Sequence, residues 1–214
     1  MLRPVLALGI LCGVAHAGVD DVTKAAPACD AKRAHCFAIQ LHVVEGATDG
    51  LVATPAWIAA RLAAANAQFE TTDVGFQVDG VDTVPASAAH VATRADRDAL
   101  GKGRLAGTSI HVFVVGRLDD IDHPGNQIRG VTWHAHDRTY IVLSAATAPE
   151  RTLAHELGHF FGLPHSTYPI SIMNKTKRDD PPPEQRRFAD EELDALRAVI
   201  ARMVRDKAVA EIRR

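Results

Sequence analysis

Residues 155–165 read His155-Glu156-Leu157-Gly158-His159-Phe160-Phe161-Gly162-Leu163-Pro164-His165. On a helix, His155 and His159 lie four apart on one face, so both imidazoles can reach one ion. Gly162 stands where that helix must stop, because a left-handed residue just past a helix end costs glycine nothing. Pro164 cannot prolong the helix, so the chain reverses and His165 returns as a third nitrogen ligand. Three neutral histidines leave a fourth tetrahedral position for water, the arrangement of a catalytic rather than a structural zinc. Glu156, next to the first ligand, is placed to take a proton from that water. With this composition, a chance H-E-x-x-H-x-x-G-x-x-H has a probability on the order of 10⁻⁴.

Upstream, Thr147 and Glu150 read as a capping box that starts a helix over residues 147–161, with Leu153 and Leu157 turned toward a core. Farther back, Cys36 to Val44 alternates as a strand, and Thr54-Pro55 opens a helix whose Ile58, Leu62, Ala65 and Phe69 recur at helical spacing. Val74–Val78, Ile110–Val115, Val131–His134 and Tyr140–Leu143 read as further strands. Downstream, residues 163–188 read as irregular, with Pro181-Pro182-Pro183 near their end. Asp190 caps a final helix carrying a Leu193, Leu196, Ile200 and Met203 core stripe. Strand, helix, strands, helix predicts an α/β (α+β) arrangement of a sheet with helices.

The chain has 214 residues and a formal net charge of −2, so no basic field invites nucleic acid or an anionic membrane. Residues 1–17 read as a signal peptide: Arg3 is a minimal positive start, Val5 to Val14 is an apolar run, and Ala15-His16-Ala17 is a small-residue cleavage site. The run is roughly half the ~20 residues that span a bilayer, which predicts no membrane span. A lipidated Cys12 is the alternative, opposed by the bulk of Leu11. Cleavage after Ala17 removes Cys12 and leaves Cys29 and Cys36 as the pair for a disulfide in an oxidising compartment, extracellular or periplasmic.

The 155–165 pattern resembles the extended zinc signature of the metzincin clan of metallopeptidases. Ser171-Ile172-Met173-Asn174 is similar to that clan's methionine turn, and the short step from His165 to Met173 resembles matrixin-type members. The resemblance implies a metzincin-like zincin fold: a twisted, mostly parallel sheet, a backing helix, an active-site helix and a small C-terminal subdomain ending in a helix. It further implies one catalytic Zn²⁺ on His155, His159 and His165, with Met173 supporting the ligands without binding the metal. A protein or peptide substrate would lie along a sheet edge, for which residues 129–135 are the candidate.

Departures from the family pattern are equally specific. Lys175 occupies the position where some members place a tyrosine ligand or donor, so three protein ligands plus water are expected. The matrixin cysteine switch and the motifs for structural zinc and calcium are not recognisable. The roughly 18 residues between Ala17 and the first strand are too few for a large pro-domain. Cys29 as a zinc-blocking thiol is the alternative to a bridge with Cys36. His134 and His136 near Asp137 could take a second metal, although alternation along an edge strand explains them as well. His35, His42, His90, His111 and His123 read as surface or satisfied core groups.

The resulting expectation is a signal peptide over 1–17, an irregular segment over 18–35 and a single catalytic domain over 36–214, divided at residues 162 and 163. Its function would be that of a secreted, monomeric zinc endopeptidase. Two other classes fit the same ligands: a catalytically silent zinc-binding interaction module, and a zinc hydrolase of a non-peptide amide or ester.

Overall fold

The computed structural model describes residues 18–212, with Asp49 and His136 excepted. The expected signal peptide, Cys12, His16 and His136 therefore lie outside the described residues.

The chain runs α1 (Val19–Ala25), β1 (His35–Val44), α2 (Pro55–Gln68), β2 (Val74–Val84), β3 (His90–Val91), α3 (Arg94–Gly101), β4 (Ile110–Val115), β5 (Arg117–Leu118), β6 (Gly130–Ala135), β7 (Arg138–Ser144), α4 (Thr152–Phe160) and α5 (Asp190–Arg205). Five strands form the main sheet in the order β2-β1-β4-β7-β6, and β3 pairs with β5 apart from it. All pairs of the main sheet are parallel except β6 with β7, which is antiparallel. The end strand β6 contains most of the stretch expected to form the substrate edge.

Both faces of the sheet are covered, which explains why β4 is buried at every residue. Ile39, Leu41, Ile110, Val112, Val114, Ile141 and Leu143 face one way, onto Ile58, Leu62 and Ala65 of α2, Leu153 and Leu157 of α4, and Leu196 and Ile200 of α5. The alternate residues Val44, Phe113, Val115, Tyr140 and Val142 pack on the other face with Leu100 of α3 and Trp133. His42 and His111 also lie on this second face, only 1% and 5% exposed, and are satisfied core groups as expected. They form a chain from Asp82 through His42 and His111 to the Ala106 carbonyl, with separations of 2.6, 2.9 and 3.0 Å.

Five readings need correction. Residues 18–35 are not wholly irregular: α1 occupies seven of them, anchored by the buried Val22, and is too short to show a periodicity. The helix expected over 147–161 is Thr152–Phe160, because the Thr147 hydroxyl donates to the Ile128 carbonyl at 3.0 Å instead of capping. Strand β2 continues past Val78: Val78 pairs with Ile39 and Gly80 with Gln40, leaving Asp79 as an extra residue at a register shift. Helix α3 went unread, although Thr93 and Asp96 form a reciprocal capping box at its start. The last helix begins at Asp190 as expected, but its N-cap is Ala189, and the Glu192 carboxylate accepts the Ala189 N–H at 2.8 Å.

Cys29 and Cys36 are joined by a disulfide, with 6.1 Å between their Cα atoms. The bridge ties the segment after α1 to the start of β1, and Cys29 is not a free thiol.

Candidate metal centre

The site grows from α4, whose apolar face fixes it against the sheet. Leu153 and Leu157 are buried, as read from the sequence. Gly158, between the two helical histidines, is a packing necessity: a Cβ there would stand 2.7 Å from the Met173 Sδ and 3.2 Å from Phe188. A glycine inside a helix costs about 1 kcal/mol relative to alanine. Here it lets Met173, fully buried, press directly on the ligand helix.

The helix ends as the sequence predicts. Gly162 has φ +90°, its N–H donates to the His159 carbonyl at 2.8 Å, and the Leu163 N–H donates to the Gly158 carbonyl at 2.9 Å. These two bonds are the paired closure of a Schellman motif. The reversal also turns the Leu163 carbonyl back, where it accepts the His159 Nδ1–H at 2.7 Å. The Ile172 carbonyl does the same for His155 Nδ1 at 2.8 Å.

With both Nδ1 atoms donating, each Nε2 presents its lone pair. His159 Nε2 lies 3.1 Å from His155 Nε2 and 3.3 Å from His165 Nε2. Tetrahedral zinc with nitrogen at roughly 2.0–2.1 Å requires nitrogens roughly 3.3–3.4 Å apart, so the set fits that ion. This triad is the one metal-capable cluster of histidine, cysteine and carboxylate groups among the described residues.

Burial holds all three imidazoles below their ordinary pKa, so they are neutral. His155 is pushed down to about 4, chiefly by desolvation, with its histidine neighbours adding to the effect. His159 is lowered by desolvation, and His165 by desolvation, with the nearby His159 imidazole and the Lys175 charge adding to it.

Glu156 is 4% exposed and turns toward β6. Burial pushes its carboxyl up to about 7, against the hydrogen bonds from Thr132 that stabilise the ionised form. The Thr132 hydroxyl lies 3.0 Å from Glu156 Oε2 and 2.8 Å from the Glu156 carbonyl oxygen, its one proton shared between these two acceptors. Nothing in the local sequence of Thr132 marks it; it reaches the site only because β6 is the strand that covers α4.

The turn bearing Met173 is pinned twice. The Ser171 hydroxyl donates to the buried Glu192 carboxylate at 2.7–2.8 Å and accepts the Met173 N–H at 2.8 Å. The Arg178 guanidinium donates to the carbonyls of Ser171, Asn174, Thr176 and Pro169 at 2.6–3.0 Å. Arg186 in turn donates to the Arg178 and Pro181 carbonyls. Lys175, exposed, remains as the cation whose charge acts on His165.

The remaining histidines stand apart from this centre. His134 is exposed on β6, with Nδ1 2.8 Å from the Thr139 hydroxyl. His35, His90 and His123 meet Glu211, Asp119 and Asp120 at 2.8, 2.8 and 3.2 Å.

The matrixin family model matches residues 115–198, which include every group of the site. Among solved structures, the chain is similar to archaemetzincin from Methanopyrus kandleri, with a TM-score of 0.53 and 16% identity over 79% of this chain and 98% of that one. It is also similar to metalloproteinase-II from Bacteroides fragilis, with a TM-score of 0.54 and 11% identity over 83% of this chain and 60% of that one. No curated protein sequence matches the chain. The fold is of the metzincin type, a mixed and mostly parallel sheet with helices. Family match and fold together support a metzincin-clan zinc metallopeptidase.

Proposed function

We propose that this chain is a secreted, monomeric zinc endopeptidase whose ligands are His155, His159 and His165 and whose general base is Glu156. The observation that carries the reading is the convergence of three neutral Nε2 atoms at zinc-like spacing, one residue from a buried carboxylate. Zinc bound by such a triad supplies Lewis acidity, lowering the pKa of water from about 15.7 toward about 7 and polarising a carbonyl oxygen.

The chain's own residues do the rest. The Ile172 and Leu163 carbonyls fix the tautomers of His155 and His159. Glu156 accepts the proton of the attacking water and passes it to the leaving amine nitrogen. Its buried environment suits both halves of that role, since a base poised near neutrality both takes and returns a proton. A peptide laid along β6 would add a strand to the end of the sheet and bring its scissile bond over α4.

Residues 36–214 would form the catalytic domain, and the Cys29–Cys36 bridge supports an oxidising compartment. Among the described residues no helix is long and apolar enough to cross a membrane.

Hydrolysis of casein or a quenched peptide library, with and without a chelator, tests the reading. Chelator-sensitive cleavage restored by zinc is expected. Zinc binding without cleavage of any peptide would leave the silent module. Turnover of simple esters or amides but not of peptides would leave the non-peptide hydrolase.

A further inference from the structure

We infer that Thr132 and Gly130 of β6 form a seat that orients the Glu156 carboxylate, making Thr132 a positioning residue of the reaction. The inference rests on the proposed role of Glu156 as the general base.

Gly130 and Thr132 are two apart on one strand and so share a face, the face that meets α4. The Thr132 hydroxyl lies within hydrogen-bond distance of both ends of Glu156, its backbone carbonyl at 2.8 Å and its Oε2 at 3.0 Å. A single side chain thus relates the tip of Glu156 to its own main chain, which fixes the torsions between them. The other oxygen lies along bare backbone: a Cβ at Gly130 would come within 3.0 Å of the Glu156 Cγ and 3.1 Å of Oε1. It would also come within 2.9 Å of the Thr152 Cγ2. One strand residue therefore supplies a hydrogen bond and another supplies the absence of a side chain, and the carboxylate fits between them.

A threonine serving only the fold would need no acceptor on a reacting group. This one donates to an oxygen of the proposed base, on the strand along which substrate is expected. The ion pairs found among the described residues do not include Glu156. Its orientation thus depends on neutral contacts, and a displacement of about 1 Å in such a group costs on the order of 10²-fold in rate.

The test uses purified full-length protein, with steady-state hydrolysis of a quenched peptide, zinc content and thermal melting measured on each variant. Thr132→Val is expected to lower kcat roughly 10–100-fold while KM changes less than about 2-fold and zinc stays near one per chain. Thr132→Ser, which keeps the donor, is expected to recover most of kcat. In a Glu156→Ala background Thr132→Val is expected to have no further effect, because it acts through that carboxylate. Gly130→Ala provides an independent arm and is expected to lower kcat by crowding Glu156 from the other side.

A wild-type kcat in folded Thr132→Val or Gly130→Ala overturns the inference while leaving the peptidase reading intact. A full additional loss in the Glu156→Ala background, or a loss of zinc in Thr132→Val, also overturns it by showing a general structural role. A wild-type protein that binds zinc and cleaves no peptide defeats the peptidase reading, and this inference falls with it.

Discussion

The Nδ1–H of His155 donates to the main-chain oxygen of Ile172, 2.8 Å away. The residue immediately before Met173 thus decides which nitrogen of the first histidine faces the other two. Support of the ligands by this turn is therefore a matter of hydrogen bonding as well as packing, and whatever holds the turn holds the ligand set.

Ser171 is the hinge pin of that turn. Ser171→Ala removes the acceptor of the Met173 N–H and a donor to the Glu192 carboxylate, which is 6% exposed. Zinc affinity is expected to fall about 10–100-fold, the usual effect of losing an outer hydrogen-bond partner. Competition with a chromogenic chelator measures it, and an unchanged affinity would show that Met173 packing alone suffices.

Binding and turnover should separate on mutation. Glu156→Ala keeps all three histidines and is expected to retain about one zinc per chain while hydrolysis falls by ~10²–10⁴-fold. His159→Ala leaves two histidines and is expected to lose tight zinc binding. Metal analysis beside a peptide assay reads both, and wild-type turnover by Glu156→Ala would refute the assigned base.

Gly158→Ala pits helix propensity against packing. The substitution gains about 1 kcal/mol of intrinsic helix preference. The new Cβ, however, meets the Met173 Sδ at 2.7 Å, with Phe188 at 3.2 Å beside it. A net loss of about 1–3 kcal/mol is expected, as for other overpacked cores. A raised melting temperature would show that Met173 yields.

Acid should destabilise the metal-free protein. His155 has a folded pKa of about 4, and His159 and His165 are lowered in the same direction from 6.5. At these sites, and at His42 and His111, which burial also lowers, the unfolded chain binds more protons in that window; together they outweigh Glu156, whose carboxyl, raised to about 7, acts in the opposite direction. The neutral imidazoles contribute full stability above about pH 6.5, and that contribution is lost as pH falls toward 4. Urea melts in chelator at several pH values check the slope, and saturating zinc should hold stability to lower pH because it binds the neutral ligands.

Of the basic residues after Met173, Arg178 and Arg186 are committed to carbonyl oxygens. Lys175 is the one whose charge reaches His165. Peptides with an acidic residue next to the scissile bond, which would lie near the His165 side of the centre, are expected to be cut a few-fold faster than neutral ones at low salt, with the preference lost in Lys175→Ala and weakened at high salt. A preference for bulky apolar residues alone, unchanged in that variant, would rule it out.

The clustering of His155, His159 and His165 could be read from the chain because they lie within eleven consecutive residues, where helical spacing and one glycine determine geometry. Met173 needed more than spacing: it entered through resemblance, and its contact with Gly158 became visible only in three dimensions. Thr132, Glu192 and Arg178 were not legible at all. Thr132 and Glu192 reach the site through the pairing of elements distant in sequence, whereas Arg178 folds back onto carbonyls of its own loop, and a threonine, a glutamate or an arginine carries no local mark of such a role. The buried strands were read closely because apolar runs such as Ile110–Val115 have one meaning in a covered sheet. The two short helices α1 and α3 span too few turns for a stripe to emerge. The start of α4 was misplaced because Thr147 has a tertiary partner, Ile128, that competes with the cap.

The Cys29–Cys36 bridge has a consequence for how the chain would respond to a proteolytic cut. Ala31 and Lys32, between the two cysteines, are exposed. A nick there would leave the α1 segment covalently fastened to β1, so the two pieces would travel together on a non-reducing gel and part only when a thiol is added. Internal scission would thus be silent in size while doubling the number of free amino termini, and the sheet would keep its first strand throughout.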